Sequence, residues 1–424
     1  MATDSKRSRW TVTTGRPRLG IVALMSTAIL SYSFLNADVN QVSAAAPKAP
    51  ARLVAGADGV PTTAAAEYAW FLFATTVKPS PGKANPLAFE NWTEQCSFSP
   101  PMPGICSAPS ATAGAAKSTA RKAHGSPLRH SFVLKKAVAG NRDDNVVGCT
   151  PLPMGPSYPN VTVPQLTGQL FCEEVFANPD EASFINTHGM TTLAGQADFA
   201  KGKNISMPWT SLEIKVDWVS TSSATCTSPT IYMEMIQFEG QKAPACFAMT
   251  GMHISSKVLP DWLWATFEPA NTLTNPNRCN PNLYGNCFDP WGTNSAVPYG
   301  PTNPAAQSPA AAALIKAAGL PAVFNNYFLT GVQTQFVDKG VATQLGNSFV
   351  EYWAGVLPAQ ASCITCHSYA IMNPATNPPT EIGQGVPTGP QIGPGATVAA
   401  GQVQQDFSWM LAFMQPAAAT AKKK

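Results

Sequence analysis

Charge is scarce in this sequence: Asp, Glu, Lys and Arg make up 12% of its 424 residues, about half the ordinary share. With 45% hydrophobic residues beside it, that scarcity excludes a charged disordered chain. The formal net charge of +3 is carried by the first 44 residues, where Lys6, Arg7, Arg9, Arg16 and Arg18 stand against Asp4 and Asp38. The remainder is near neutral, so no basic footprint for nucleic acid is present. Lys422–Lys424 reads as a solvated tail. Also missing are a Gly-x-Gly-x-x-Gly after a strand, a Walker loop, His-Glu-x-x-His and Gly-x-Ser-x-Gly. Those absences remove the usual signatures of nucleotide, zinc-protease and serine-hydrolase chemistry. No internal repeat of about 20–50 residues is visible.

Proline (39) and glycine (31) are plentiful, which points to a compact, loop-rich protein long enough for two or three domains. The basic N-terminus followed by "LGIVALMSTAILSYSFL" (19–35) and "NQVSAAAP" reads as an export signal, residues 1–44, cleaved after Ala44 with Val42 at the −3 position. The alternative is an uncleaved membrane anchor, because the apolar run is slightly long for a signal.

Ten cysteines fit an exported chain. Two of them, Cys363 and Cys366, belong to a motif treated below. The other eight suggest four sequential disulfides: 96–106, 149–172, 226–246 and 279–287. The competing reading leaves one or two of those pairs reduced and buried.

Periodicity places a helix over 64–77 and a clean strand over 211–220, where Leu212, Ile214, Val216 and Trp218 alternate with Glu213, Lys215 and Asp217. The segments 229–238, 245–255, 261–268 and 326–337 read as further strands, and 308–319 as a helix capped by Ser308 with Pro309 in its first turn. The closing 403–415 reads as an amphipathic helix. The resulting fold class is α+β: an antiparallel, disulfide-supported β-rich domain with flanking helices over 45–299, then a mostly helical segment over 300–424, where Cys363, Cys366 and His367 in Cys-x-x-Cys-His spacing mark a c-type haem domain.

The chemically specific stretch is "AQASCITCHSYA" (359–370), the chain's single Cys-x-x-Cys-His. Covalent haem attachment needs two thiols for the two vinyl groups and an imidazole immediately after for iron, and Cys363, Cys366 and His367 supply them within one helical turn. A thioredoxin-like redox pair lacks its βαβ setting here. A zinc site lacks a nearby second ligand pair, since the other histidines lie more than a hundred residues away. A Cys363–Cys366 disulfide leaves His367 unexplained. With His367 as proximal ligand, the distal candidates are Met410, Met414 and His253. Met372 stands too close along the chain to cross to the other haem face, and His124, His130 and His188 sit in polar surroundings. Met410 and Met414 beside Trp409 and Phe413 also read as plain core residues, and His253 as a hydrogen-bonded core histidine.

"EYAWFLFATTV", "WTSLEIKVDWV", "GMHISSKVLPDWLWATFEPANT", "SCITCHSYA" and "DFSWMLAFM" occur in that order. Together these islands, scattered over residues 65–415, resemble exported bacterial monohaem "cytochrome c family" proteins. The resemblance picks out Glu213, Lys215, His253, Trp264, Phe267, Glu268, Cys363, Cys366 and His367. It implies one covalent haem c with iron, and it implies no reaction. The departure is at Ser255 and Ser256, which stand where such proteins are often more basic.

Three functions follow as expectations. One is periplasmic one-electron transfer to a redox partner protein. A second is a haem-dependent oxidoreductase whose substrate site lies between the β-rich domain and the haem, with Glu213, Lys215, His253 and Glu268 as its polar groups. The third is an extracellular disulfide-rich binding module. The bland alternative for Glu213 and Lys215 is a solvated strand face with a weak surface ion pair, and for Glu268 the end of a strand. A single haem motif disfavours a two-haem peroxidase.

Overall fold

The computed structural model describes residues 53, 60, 62–82, 86–98, 128–129, 148–151, 170–238, 243–270, 287–293, 307–347, 351, 360–381 and 399–412. All of them lie in the unit Pro47–Lys424. The export segment, Cys106, Cys279, His124, His130 and Met414 lie outside the described residues, as does the side chain of Cys96.

The first helix, α1 (Thr62–Thr76), is apolar on nearly every side, with Ala66, Ala69, Trp70 and Phe73 buried. A helix of that kind belongs inside a core. It packs on a sheet of nine described strands. These are β1 (Thr93–Glu94), β2 (Leu128–Arg129), β3 (Gly148–Pro151), β4 (Leu170–Ala177), β5 (Leu212–Thr221), β6 (Met233–Phe238), β7 (Ala245–Ser256), β8 (Leu263–Pro269) and β9 (Tyr327–Gln333). Every pairing is antiparallel except that of β2 with β6. The central strand β7 pairs with β5 along one edge and shares its other edge between β6 and β8. β9 joins the sheet through β8, so the sheet draws strands from both sides of residue 300. The α+β class and the antiparallel sheet agree with the sequence reading.

One face of this sheet is dry. Ile214, Trp218, Met252, Ile254 and Phe267 lie under α1 and under α4 (Pro309–Ala317), whose N-cap is Ser308 as its sequence indicates. Phe267 stacks on Phe73 at 4.3 Å and meets Trp70 edge-on at 5.1 Å. Trp70 Nε1 donates to the buried Asp289 at 2.7 Å, and Asp289 also accepts from the Gly292 amide at 2.7 Å. A Cβ on Gly292 would fall 1.9 Å from that indole nitrogen, so only glycine fits.

Two expected disulfides are present. Cys149–Cys172 joins directly opposed residues of β3 and β4, and Cys226–Cys246 ties the β5–β6 connection to the start of β7. Cys287 is also disulfide-bonded.

The other face is covered by α2 (Pro179–Thr187), α3 (Leu193–Ala200) and the C-terminal segment. Between β9 and that segment lies a small hairpin of β10 (Val337–Asp338) and β11 (Val341–Ala342). The described C-terminal residues form α5 (Cys363–His367), a three-stranded sheet of β12 (Ile371–Asn373), β13 (Thr380–Glu381) and β14 (Val403–Gln404), and α6 (Trp409–Ala412). This mixture of short strands and helices differs from the mostly helical segment expected. The helix anticipated over 403–415 begins only at Trp409. Before it, Asp406 (φ 51°) and Phe407 (φ 65°) are both left-handed, a conformation no helix continues through. Among the described residues no helix is long and apolar enough to cross a membrane.

Candidate functional site around Cys363, Cys366 and His367

Glu213, Lys215 and Asp217 alternate with the core residues of β5, as the sequence indicates, but their face is not solvated. Glu213 and Asp217 are buried, and Lys215 keeps 33% of its side chain open. The segment that covers them lies some 150 residues further along the chain. Register aligns the neighbours on this face: Glu173 of β4 opposite Asp217, His253 of β7 opposite Lys215, and Thr266 of β8 opposite His253. Lys215 Nζ pairs with Glu173 Oε1 at 3.1 Å. Glu268 is buried at the end of β8. The four polar residues singled out in the sequence therefore share one sheet face.

The Cys363–His367 motif sits on that face. Ser362 caps α5 by accepting from the Thr365 amide, and Gln333 at the end of β9 clamps the turn from outside. Its Oε1 accepts from the Ile364 amide at 2.9 Å and its Nε2 donates to Ser362 Oγ at 2.9 Å. A single buried amide thus fixes one short turn in place. Within that turn Cys363 is buried, its Sγ lying 3.5 Å from the Leu345 carbonyl, and Cys366 is half-buried. Both thiols are free, although disulfides form elsewhere in the chain. Burial pushes the Cys363 thiol well above its usual range and the Cys366 thiol to about 11.

His367 is held on two sides. Its Nδ1 lies 2.8 Å from the Phe407 carbonyl, and its ring meets Trp264 at 4.4 Å between centroids. Burial pulls its pKa down to about 3, so the imidazole is neutral at physiological pH. A neutral ring bonded to a carbonyl through Nδ1 carries its proton there and leaves Nε2 as the lone-pair donor.

His253 is brought to the same place. Its Nε2 is buried, 3.7 Å from Glu351 Oε1, with no hydrogen bond among the described residues. Burial, with Lys215 and His367 nearby, holds its pKa well below the histidine range, while burial pushes Glu351 up to about 8. The contact is therefore between a neutral imidazole and a protonated carboxyl. His253, Glu351 and Cys363 each bring one ligand atom within 4.8 Å of the others, and among the described residues no other such trio occurs. The separation along the chain that counted against a metal site is closed by the fold.

Of the other candidates, Met410 and Met372 are buried in the apolar cluster that also contains Cys363 and Phe407. His188 is exposed at the end of α2, against Phe184 and Phe199. Residues that sequence reasoning passed over are Gln333, Glu173, Glu351, Asn347 and Asp406. Glu351 lies 12 positions before Cys363 in "NSFVEYWAG", with nothing in its local pattern to mark it. Asn347 donates to Thr266 Oγ1 at 2.9 Å and reaches the backbone of Gly251, where a Cβ would meet it at 2.9 Å. Asp217 is buried with neither carboxylate oxygen hydrogen-bonded among the described residues, and burial with Glu173 beside it raises its pKa well above normal.

A covalent haem fits this donor set: two free thiols one turn apart, followed by an imidazole whose second nitrogen is fixed by a backbone carbonyl. Compared with known proteins, the chain matches no family model, no curated protein and no solved structure.

Proposed function

We propose that this protein is a periplasmic monohaem c-type cytochrome, exported by its N-terminal segment, whose work is one-electron exchange with a periplasmic redox protein. The observation that carries the reading is the capped turn Cys363–His367, with both thiols free and His367 Nδ1 committed to the Phe407 carbonyl. The haem, once bound, supplies a single reversible electron at iron. Cys363 and Cys366 hold it by two thioether bonds. His367 offers Nε2 to the iron, and the Phe407 carbonyl keeps that ring from turning. Trp264 excludes water from one side of the imidazole. His253 is the polar group best placed to act as a distal ligand or to face a substrate, because its buried Nε2 has no hydrogen bond among the described residues. Reactive dithiols need depressed thiol pKa values, and the protonated Cys363 and Cys366 speak against that use.

The test is the visible spectrum of the periplasmically matured, reduced protein before and after carbon monoxide. A c-type spectrum that survives denaturation supports the reading. A Soret shift with carbon monoxide turns the search to a substrate beside His253. A protein with no haem overturns it.

A second reading is favoured by one observation, the convergence of His253, Glu351 and Cys363. Nitrogen, oxygen and sulfur donors suit a divalent transition metal, zinc above all, with a fourth position open. Stoichiometric zinc in a haem-free protein, lost in Glu351→Gln, would establish it.

A further inference from the structure

His253, Glu351 and Cys363 reach one point from three parts of the chain: the long strand β7, the segment ahead of the motif and the first residue of α5. Each is held so that one donor atom stays open. Glu351 Oε2 accepts from the Asn347 amide, which leaves Oε1 facing His253 Nε2 at 3.7 Å. That Nε2 is buried and has no hydrogen bond among the described residues. Cys363 donates its thiol proton to the Leu345 carbonyl at 3.5 Å. The three donor atoms lie within 4.8 Å of one another. Bonds of about 2.0–2.3 Å to a tetrahedral ion set ligand atoms roughly 3.5 Å apart, so a small contraction suffices. His253 and Glu351 keep 13% and 11% of their side chains open, which gives an ion an approach that the buried Cys363 lacks. Cys366 and His367 do not belong to this trio. Cys363 does, and it is also the first thiol of the haem motif. One sulfur stands in two sites.

We propose that a divalent transition metal, zinc by its donor set, and a porphyrin vinyl group compete for the one sulfur of Cys363, so that either occupant excludes the other. This rests on both readings above, the haem on the capped turn and the metal on the convergent trio. Metal binding needs the thiolate. As the sulfur–metal and oxygen–metal bonds form, the thiol proton and the Glu351 carboxyl proton leave to solvent. Two positive charges then replace two, and the buried site keeps its net charge. Haem attachment uses the same thiol differently. The S–H bond adds across the vinyl double bond, sulfur to one carbon and hydrogen to the other, and no oxidant or reductant is consumed. The resulting thioether is uncharged and has no proton to exchange for a metal, so His253 and Glu351 are left one donor short of a catalytic-type zinc site. A sulfur already bonded to zinc has given up the proton that the addition requires and shares its electron pair with the ion. Cys366 lies outside the trio and its thiol is free, so a metal-loaded chain keeps one of its two attachment points. Competition therefore has a signature: haem joined through Cys366 alone.

The experiment takes the full-length chain made without haem attachment, adds zinc, and then matures it with haem in the presence and absence of that zinc. Stoichiometric uptake is expected, and cobalt in place of zinc should show a sulfur-to-metal charge-transfer band. Alkylation of Cys363, followed by mass spectrometry, slows roughly tenfold when zinc is about ten times its dissociation constant, while that of Cys366 does not. Maturation with zinc present gives chain carrying haem through Cys366 alone, and in Glu351→Gln zinc no longer alters the product. The competition is read in the wild-type chain, so it stands even where the variant fails to fold. Matured protein that carries both thioethers and still binds stoichiometric zinc overturns the proposal. So does zinc-loaded chain that forms both thioethers as readily as zinc-free chain. Either result refutes this inference alone. A chain that binds no zinc removes the metal reading and this inference but leaves the haem, and a chain that takes no haem removes the haem reading and this inference but leaves the metal.

Discussion

On β5, Ile214 and Trp218 lie in a dry layer under α1, while Glu213 and Asp217, one position away from such neighbours, are just as buried but among other carboxyls. The first face is an ordinary core, in which aromatic contacts such as Phe73–Phe267 stabilise the fold. The second face costs stability. Asp217 has no hydrogen bond to either oxygen among the described residues, and burial raises the pKa values of Glu181 and Glu351. Buried polar groups left this short of partners are kept for reasons other than stability. The difference separates what holds the molecule together from what it uses.

The comparison breaks most sharply at the haem motif. Cys363→Ser/Cys366→Ser is expected to abolish covalent haem completely, read as loss of the haem spectrum after denaturation, with the apolar face untouched. Stoichiometric haem surviving denaturation in that variant would sink the attachment claim. On the dry face, Phe267→Ala is expected to cost ~3–5 kcal/mol in denaturant unfolding, with the spectrum of whatever remains folded unchanged. A shifted spectrum would mean that the two faces are not independent.

The pH dependence sharpens the contrast. Asp217 and Glu181 have folded pKa values above their unfolded values near 3.8 and 4.5. Between the two values the native state binds more protons, so stability falls as pH rises. The melting temperature should drop as pH rises above the unfolded values and through the raised folded ones, and less so in Asp217→Asn, which is expected to gain ~1–3 kcal/mol at the alkaline end. Equal slopes in the two proteins would remove Asp217 from the account. The smallest effect concerns Lys257→Met, which leaves Asp406 with the Met207 amide alone of its two partners. A loss of ~1–2 kcal/mol is expected, with a change in reduction potential because the Phe407 carbonyl shifts on His367; an unchanged potential would show that the backbone holds without the ion pair.

Much of the fold was legible. The alternation along 211–220, the helix placed over 64–77 and the Ser308 cap are written in local patterns, which physics reads over a few residues; two of the four sequential cysteine pairings formed as expected, although spacing alone does not fix connectivity. What the pattern could not show was the fate of the polar face of β5. Periodicity says that Glu213 and Asp217 point away from Ile214 and Trp218; it is silent on whether a later segment will cover them. For the same reason His253 read as remote from Cys363, although the fold brings their ligand atoms within 4.8 Å. The helix expected over 403–415 failed at Asp406 and Phe407, whose left-handed backbone is signalled by no glycine. Of the site itself, Cys363, Cys366 and His367 form a local motif and were visible at once. Gln333, Glu351 and Asp406 carry no motif, and only tertiary contacts single them out.

The burial of Cys363 bears on how the molecule is assembled. Its sulfur lies against the Leu345 carbonyl beneath a closed C-terminal segment, and a reagent as large as a porphyrin has no approach to it once that segment has docked. Under the proposed haem attachment, thioether formation at Cys363 belongs to the interval before the segments around it pack, and maturation and folding become ordered events.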